Sequence, residues 1–383
     1  MNPLSTSSGN GQNLNWGICK PVLKVLGLGG GGCNAINRMI ELGLKDIEFI
    51  AANTDLQALK ESQAPTKVHL GPVLTRGLGA GGNPEVGQAA ALESSAELKA
   101  VLAGADMVFL TAGMGGGTGT GAIPVAAEIC HKRGTVTIAI VTTPFSFEGG
   151  RRYKNANEGL TRLSPHTDTM IAISNDRLME VKGGNISIDV AFRVADDVLR
   201  QAVQGVTELI TEPGLINVDF AHIQRLMKMG GGAFLAIGQG EGEDKARQAV
   251  QNAMKHPLLE SVTLDHAAGI LVNFTGGDDL TLYEVTQALN YLQEQAASEL
   301  EIVMGVVHDD CMKNRVQAIL IVTGLGGKSL EDVLPGAERL NQAMPRPVQI
   351  AAQYCQTVAV EANLGFEAKD LDIPAFLRRR RFN

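Results

Sequence analysis

The chain has 383 residues, 44% of them hydrophobic and only 4% aromatic, with a formal net charge of -8. This length predicts two to three domains of about 150 residues, the apolar share excludes wholesale disorder, and an acidic, aromatic-poor chain is a poor base-stacking nucleic-acid binder. Glycine is the anomaly: 45 residues, about 12% against a usual ~7%, without the Gly-X-Y period of collagen.

No apolar run approaches the roughly 18 residues of a transmembrane helix. The opening stretch MNPLSTSSGNGQNLNWG has neither the basic residue nor the apolar block of a secretory signal, and 1–19 reads as a disordered tail. The five cysteines (Cys19, Cys33, Cys130, Cys311, Cys355) contain no C-x-x-C pair. That pattern argues against a zinc site or a disulfide framework and fits a reducing cytoplasm.

From Pro21 onward, short apolar runs alternate with amphipathic stretches. PVLKVLGLG reads as a strand, followed by a glycine cluster and a helix over NAINRMIELG. IEFIAANTD is a second strand. NPEVGQAAALESSAELKAVLAG reads as one helix, with Asn83 as N-cap and Pro84 at the first helical position. DMVFLTAG and GTVTIAIVTTP are strands with a helix over Ile123–His131 between them, and DTMIAISN follows after a further helix. This β-α-β alternation predicts a parallel sheet covered on both faces. From Ile188 to Ile210 the apolar residues recur every three or four positions, which predicts one long helix of about six turns. GGAFLAIGQG, AAGILVNFTGG, LEIVMGVVHDD and RVQAILIVTGLGG read as strands of a second α/β unit, with helices near Asp244–Lys255 and Thr281–Glu299. The last two strands have no helix between them, so this second sheet is expected to be mixed. After Gly327 the patterning fades.

Much of the excess glycine lies in loops that follow strands. Gly27, Gly29 and Gly32 match the G-x-G-x-x-G spacing by which backbone N–H groups and a helix N-terminus meet a phosphate; a tight structural turn is the competing reading. Gly113–Gly121 (GMGGGTGTG) holds six glycines, far more than a turn needs given their entropic cost on folding, so a phosphate cradle is favoured there. Gly77–Pro84 (GLGAGGNP) is a third such loop. Three loops on one side of a parallel sheet can converge on one polyphosphate. A Walker loop is absent: near Lys328 the pattern would need glycine where Val322 stands.

GGGTGTG (Gly115–Gly121) resembles the phosphate loop of the tubulin/FtsZ family. It occurs in order with GGGGCN, NTD (Asn53–Asp55), GAGGNPEVG, PFSFEG and NVDF, so the chain is similar to the FtsZ branch of that family from about Val22 to Gly326, and again in the terminal DIPAFL. The resemblance implies an α/β fold with a Rossmann-like parallel-sheet GTPase domain over 20–187 and a central helix over 188–210. A second α/β domain with a mixed sheet would follow over 211–327, then a flexible linker over 328–369 and a partner-binding peptide over 370–383. It implies a cytoskeletal GTPase that polymerises head to tail and forms the bacterial division ring in the cytoplasm. GTP and GDP would be substrate and product, and Mg2+ would come with the nucleotide rather than on direct protein ligands.

By the same resemblance, Gly30, Gly31, Gly32, Cys33, Asn34, Gly82, Asn83, Gly113, Met114, Gly115, Gly116, Gly117, Thr118 and Gly119 would line the phosphates. Glu148 and Arg152 would touch the ribose and phosphate side, and Asn175 and Asp196 the guanine. A carboxylate at Asp196 can accept from the guanine ring N–H and amine, groups that adenine lacks in that arrangement. Phe192, one turn earlier, would either stack on the base or pack in the core. Asp219, Asn217 and His222 would complete hydrolysis on the neighbouring subunit's GTP. The family pattern N-x-D-F-x-D has aspartate where this chain has His222, which predicts weakened hydrolysis, since histidine lacks a carboxylate's fixed charge. DIPAFLRRRRF resembles the peptide that grips membrane-tethering division proteins such as FtsA and ZipA. Two other readings stand beside this one: a dinucleotide oxidoreductase, suggested only by G-x-G-x-x-G, and a GTP-binding structural filament with little turnover, suggested by His222.

Overall fold

The computed structural model describes residues 20–181, 187–211, 216, 218–229, 232–255, 267–295 and 300–324. The expected tail, linker and terminal peptide lie outside these residues, as does Asn217.

Leu23–Leu28 (β1) is buried at every position, as a strand covered on both faces must be. It runs directly into Gly29–Glu41 (α1), so the helix starts five residues before the expected Asn34. Glu48–Asn53 (β2) is followed by Leu56–Glu61 (α2), which Asp55 caps by accepting the Gln57 and Ala58 N–H groups at 2.9 and 3.2 Å. Thr66–His69 (β3) and Pro72–Thr75 (α3) come next.

The helix expected to run on from Asn83 is two helices, Pro84–Glu93 (α4) and Ser95–Val101 (α5). Ser94 separates them. Its hydroxyl donates to the His69 carbonyl at 3.2 Å and accepts the Gly71 N–H at 3.0 Å, so a side chain committed to the preceding turn interrupts the helix. Met107–Gly113 (β4), Thr118–His131 (α6), Val136–Thr143 (β5), Gly150–Leu163 (α7), Thr169–Ser174 (β6) and Asn175–Val181 (α8) complete the N-terminal half. The central helix is Ile188–Thr211 (α9), about 36 Å long. Phe220–Met227 (α10), Gly232–Glu241 (β7), Lys245–Met254 (α11), Gly269–Gly276 (β8), Leu282–Glu294 (α12), Glu301–His308 (β9) and Arg315–Thr323 (β10) follow.

The ten strands form one sheet, in the order β3-β2-β1-β4-β5-β6-β7-β10-β8-β9. The first six are parallel and doubly wound, with the order reversing between β1 and β4. β10 is antiparallel to both β7 and β8, so the C-terminal half is mixed, as expected. Among the described residues, the two halves of the sheet pair through two residue pairs of β6 and β7, Met170 with Gly232 and Ile171 with Ala233.

Side chains alternate strictly across this sheet. Met107 and Phe109 of β4 face a layer with Ile36, Met39, Leu199 and Val203, whereas Val108 and Leu110 face a layer with Ala90, Ile123, Ala126 and Leu160. Helix α9 belongs to the first layer from Val194 to Ile210, packing on β5 as well as on β8, β9 and β10. Losing a fully buried ring such as Phe109 would cost about 3–5 kcal/mol.

Candidate active site

The reversal between β1 and β4 puts the N-termini of α1 and α6 side by side at the C-terminal ends of the strands. Each offers backbone N–H groups with no partner inside the helix and the positive end of its dipole. The glycine loops around them touch backbone to backbone. A Cβ on Gly29 would sit 2.7 Å from the Gly119 nitrogen, and one on Gly31 would sit 3.2 Å from the Gly113 nitrogen. A Cβ on Gly117 would sit 2.8 Å from the Ala80 Cβ and 2.9 Å from the Asn83 nitrogen. The first loop therefore meets the second, and the second meets the third. By contrast, a Cβ on Gly30, Gly81, Gly82 or Gly116 would enter open space. These four positions outline a cradle walled by main chain, as an anion site at paired helix N-termini requires.

Side chains lock the loops from behind. The Thr54 and Thr118 hydroxyls are 2.5 Å apart, Thr120 accepts the Gly115 N–H at 2.8 Å, and the Met114 N–H reaches the Thr142 carbonyl at 2.8 Å. Met114 and Cys33 are buried, so only their backbone is available to a ligand. Burial pushes the Cys33 thiol up to about 12, which makes it an inert core residue. Asn34 lies in the first turns of α1. Asn83 caps α4 by accepting the Glu85 N–H at 3.0 Å.

The loops after β5 and β6 open on the same edge. Ser146 N–H donates to Asp176 at 3.0 Å and ties the two together. Asn175 begins α8 at 4% exposure, and its side-chain oxygen has no hydrogen-bond partner, an orphan that a ligand donor would satisfy. Phe192 is neither a core residue nor a free ring. It is 41% exposed and stands edge-on to Phe145 at 5.3 Å, while Phe145 stacks on Phe147. Asp196 follows one turn later. Burial raises its carboxyl to about 7, with the Arg38 guanidinium pulling the other way. Glu148 accepts the Phe145 N–H at 2.9 Å and pairs with Arg152 one turn along. These two residues are thus clasped to each other beside the cradle.

Asp219 and His222 lie elsewhere. Asp219 caps α10 through the Ala221 N–H at 3.1 Å, its carbonyl accepts the His222 N–H at 2.9 Å, and both side chains are exposed on one face. Helix α10 lies against the opposite, N-terminal ends of the strands. The Met227 carbonyl accepts from Thr169, the first residue of β6, at 2.6 Å; Arg225 pairs with Glu301, the first residue of β9; and Leu226 packs on Gly269, the first residue of β8. A strand's length, about 20 Å for the six residues of β6, separates α10 from Asn175.

A model of the tubulin/FtsZ family GTPase domain matches residues 22–183, and a model of the FtsZ family C-terminal domain matches residues 231–326. FtsZ of M. jannaschii, solved as an empty dimer, is 45% identical, covers 80% of this chain and 89% of its own, and superposes with a TM-score of 0.77. The chain belongs to the FtsZ family. A mutant of the same M. jannaschii FtsZ is likewise 45% identical, with a TM-score of 0.76 over 80% of this chain and 91% of that one. CetZ2 of Haloferax volcanii, in a GTPgS-bound protofilament, shares the fold at 19% identity, with a TM-score of 0.67 over 84% of this chain and all of that one. The N-terminal half is accordingly a GTPase domain, and the oxidoreductase reading falls away.

Two residues that brace the glycine loops from behind, Thr54 through Thr118 and Asn155 through the Gly82 and Gly115 carbonyls, carried little sequence signal. Thr54 was visible only as the middle of NTD, and Asn155 of α7 carried no motif.

Proposed function

We propose that this chain is a GTP-driven filament protein of cell division. The supporting observation is the placement of its two polar sites at opposite ends of the strands. Asp219 and His222 cannot reach the cradle of their own subunit, but head-to-tail stacking would carry them to the cradle of the next. In this reading Gly30–Asn34, Gly82–Asn83 and Gly113–Gly119 hold the phosphates through main-chain N–H groups. Glu148 and Arg152 border the ribose, while Asn175, Phe192 and Asp196 take the guanine. Mg2+ accompanies the phosphates and supplies charge neutralisation there. Asp219, with Asn217, polarises the attacking water across the interface, and His222 flanks it. Hydrolysis then depends on assembly, because each subunit holds half of a site.

The division of the chain into 20–187, 188–210 and 211–327, with linker 328–369 and peptide 370–383, belongs to the same reading. So do a cytoplasmic ring at the division site and tethering through DIPAFLRRRRF by proteins of the FtsA or ZipA kind. A bacterial division ring belongs to this reading as well, while the M. jannaschii FtsZ structures are archaeal. Among the described residues, no helix is long and apolar enough to cross a membrane.

Light scattering and phosphate release, recorded together after GTP addition with Mg2+ present, test this reading. Both should rise together above a threshold protein concentration. Scattering without phosphate would support a non-hydrolysing filament; phosphate release independent of protein concentration would overturn the shared-site reading.

A further inference from the structure

Asn155 lies in the second turn of α7, outside every glycine loop and every motif singled out above. Its side-chain nitrogen is 3.3 Å from the Gly82 carbonyl oxygen and 3.2 Å from the Gly115 carbonyl oxygen. Two acceptors facing one carboxamide admit only one orientation of that group, with the NH2 toward them. Its two hydrogens then serve the third and the second glycine loop, one each.

The consequence for Gly115 follows from peptide planarity. The Gly115 carbonyl and the Gly116 N–H belong to one rigid plane and point in opposite directions. Holding the carbonyl toward Asn155 therefore turns the Gly116 N–H away from α7. Gly116 is one of the loop positions that face open space, whereas Gly115, at φ +97°, is wedged against the Arg152 carbonyl and Pro144. The Gly115 N–H is already held by Thr120 at 2.8 Å. Both peptide groups flanking Gly115 are thus pinned from the protein side. A run of three glycines has little intrinsic preference for either peptide orientation. A flip would replace the Gly116 N–H in the cradle with a carbonyl oxygen, which repels phosphate.

We propose that Asn155 is a positioning residue for the nucleotide's phosphates: it clamps the second and third glycine loops together and aims the Gly116 N–H into the cradle. This rests on the reading that the glycine loops hold a guanine nucleotide. Asn155 touches no ligand itself.

The test compares GTP, GDP and guanosine binding to the full chain and its variants by calorimetry, with unfolding temperatures recorded without nucleotide. Asn155→Asp keeps the size of the side chain but turns both donors into acceptors. Asn155→Ala removes them and serves as the second variant if the aspartate lowers the unfolding temperature. Two lost hydrogen bonds set the expected scale: GTP and GDP bind about tenfold more weakly to either variant, and guanosine binds as it does to the wild type. GTP affinity within twofold of wild type in both variants overturns the proposal. So does equal weakening of GTP and guanosine, which marks a merely structural role. Absence of GTP binding by the wild type removes the underlying reading and this proposal with it, whereas GTP-binding wild type with unchanged variants overturns the proposal alone.

Discussion

At the glycine-loop end, main chain meets main chain, and a single added carbon at Gly29 or Gly117 would collide with a neighbouring loop. At the α10 end, Asp219 and His222 stand exposed on a short helix, tied locally by one side-chain cap and the backbone hydrogen bonds to the Asp219 carbonyl. The first end is made of packing, so its ligand geometry and its stability are one property. The second end is made of side chains that can be exchanged without moving the fold. Chemistry at the two ends should therefore respond differently to mutation.

The hardest test of this contrast is Gly29→Ala. Left-handed strain at φ +72° and a contact at 2.7 Å with the Gly119 nitrogen combine, costing about 3 kcal/mol or more. Thermal unfolding should shift down sharply and GTP binding should vanish with it; an alanine variant of wild-type stability would break the comparison. Asp219→Asn should do the reverse. Asparagine caps a helix as well as aspartate does, so unfolding temperature and GTP affinity should hold while phosphate release falls by at least about a hundredfold. A loss of stability larger than the loss of turnover would put Asp219 in the same class as Gly29.

A smaller effect is expected from pH. Asp196 ionises near 7 in the free protein, and guanine N–H donors favour its charged form. Binding below that pH must therefore expel a proton, and affinity should fall by up to about tenfold per unit as pH drops below 7. Above 7 it should level off. Asp196→Asn should weaken binding and flatten this profile. The same raised carboxyl opposes folding increasingly as pH climbs from about 4 toward 7, so the asparagine variant should unfold at a higher temperature than wild type at pH 8 in the absence of nucleotide. The smallest effect is His222→Asp, which restores a fixed negative charge on the exposed face. Turnover should rise, by less than about tenfold, with unfolding unchanged; equal or lower turnover would show that the histidine is not limiting.

Strands were legible because burial on both faces demands continuous apolar runs such as LKVLGL and VTIAIVTT. Helix starts were legible at Pro84 and Ile188 but not inside the glycine loops. Gly29–Gly32 and Thr118–Gly121 read as loop by glycine propensity, yet they are the first turns of α1 and α6, where neighbouring backbone leaves no room for a side chain at Gly29, Gly32 or Gly121. The break at Ser94 depends on a partner 25 residues away, His69, which no local pattern reveals. β3 is short, half exposed and polar, so it carries no apolar signature. The glycine loops stood out by their glycine number, spacing and place after strands, while the proposed guanine-side roles of Asn175 and Asp196 came only through resemblance. Asn155 was invisible because an asparagine on an amphipathic helix is ordinarily a solvated face.

β6 has a mechanical meaning beyond its place in the sheet. Its first residue, Thr169, holds the α10 carbonyl of Met227, and its last, Ser174, abuts Asn175. A tensile load applied between those two ends runs along six residues of extended, hydrogen-bonded backbone, the direction in which a polypeptide stretches least. β6 is the strut of the subunit. The two-pair ladder beside it, Met170–Ile171 on Gly232–Ala233, is the shortest in the sheet among the described residues, so helix α9, packed on both halves, shares the load across that seam.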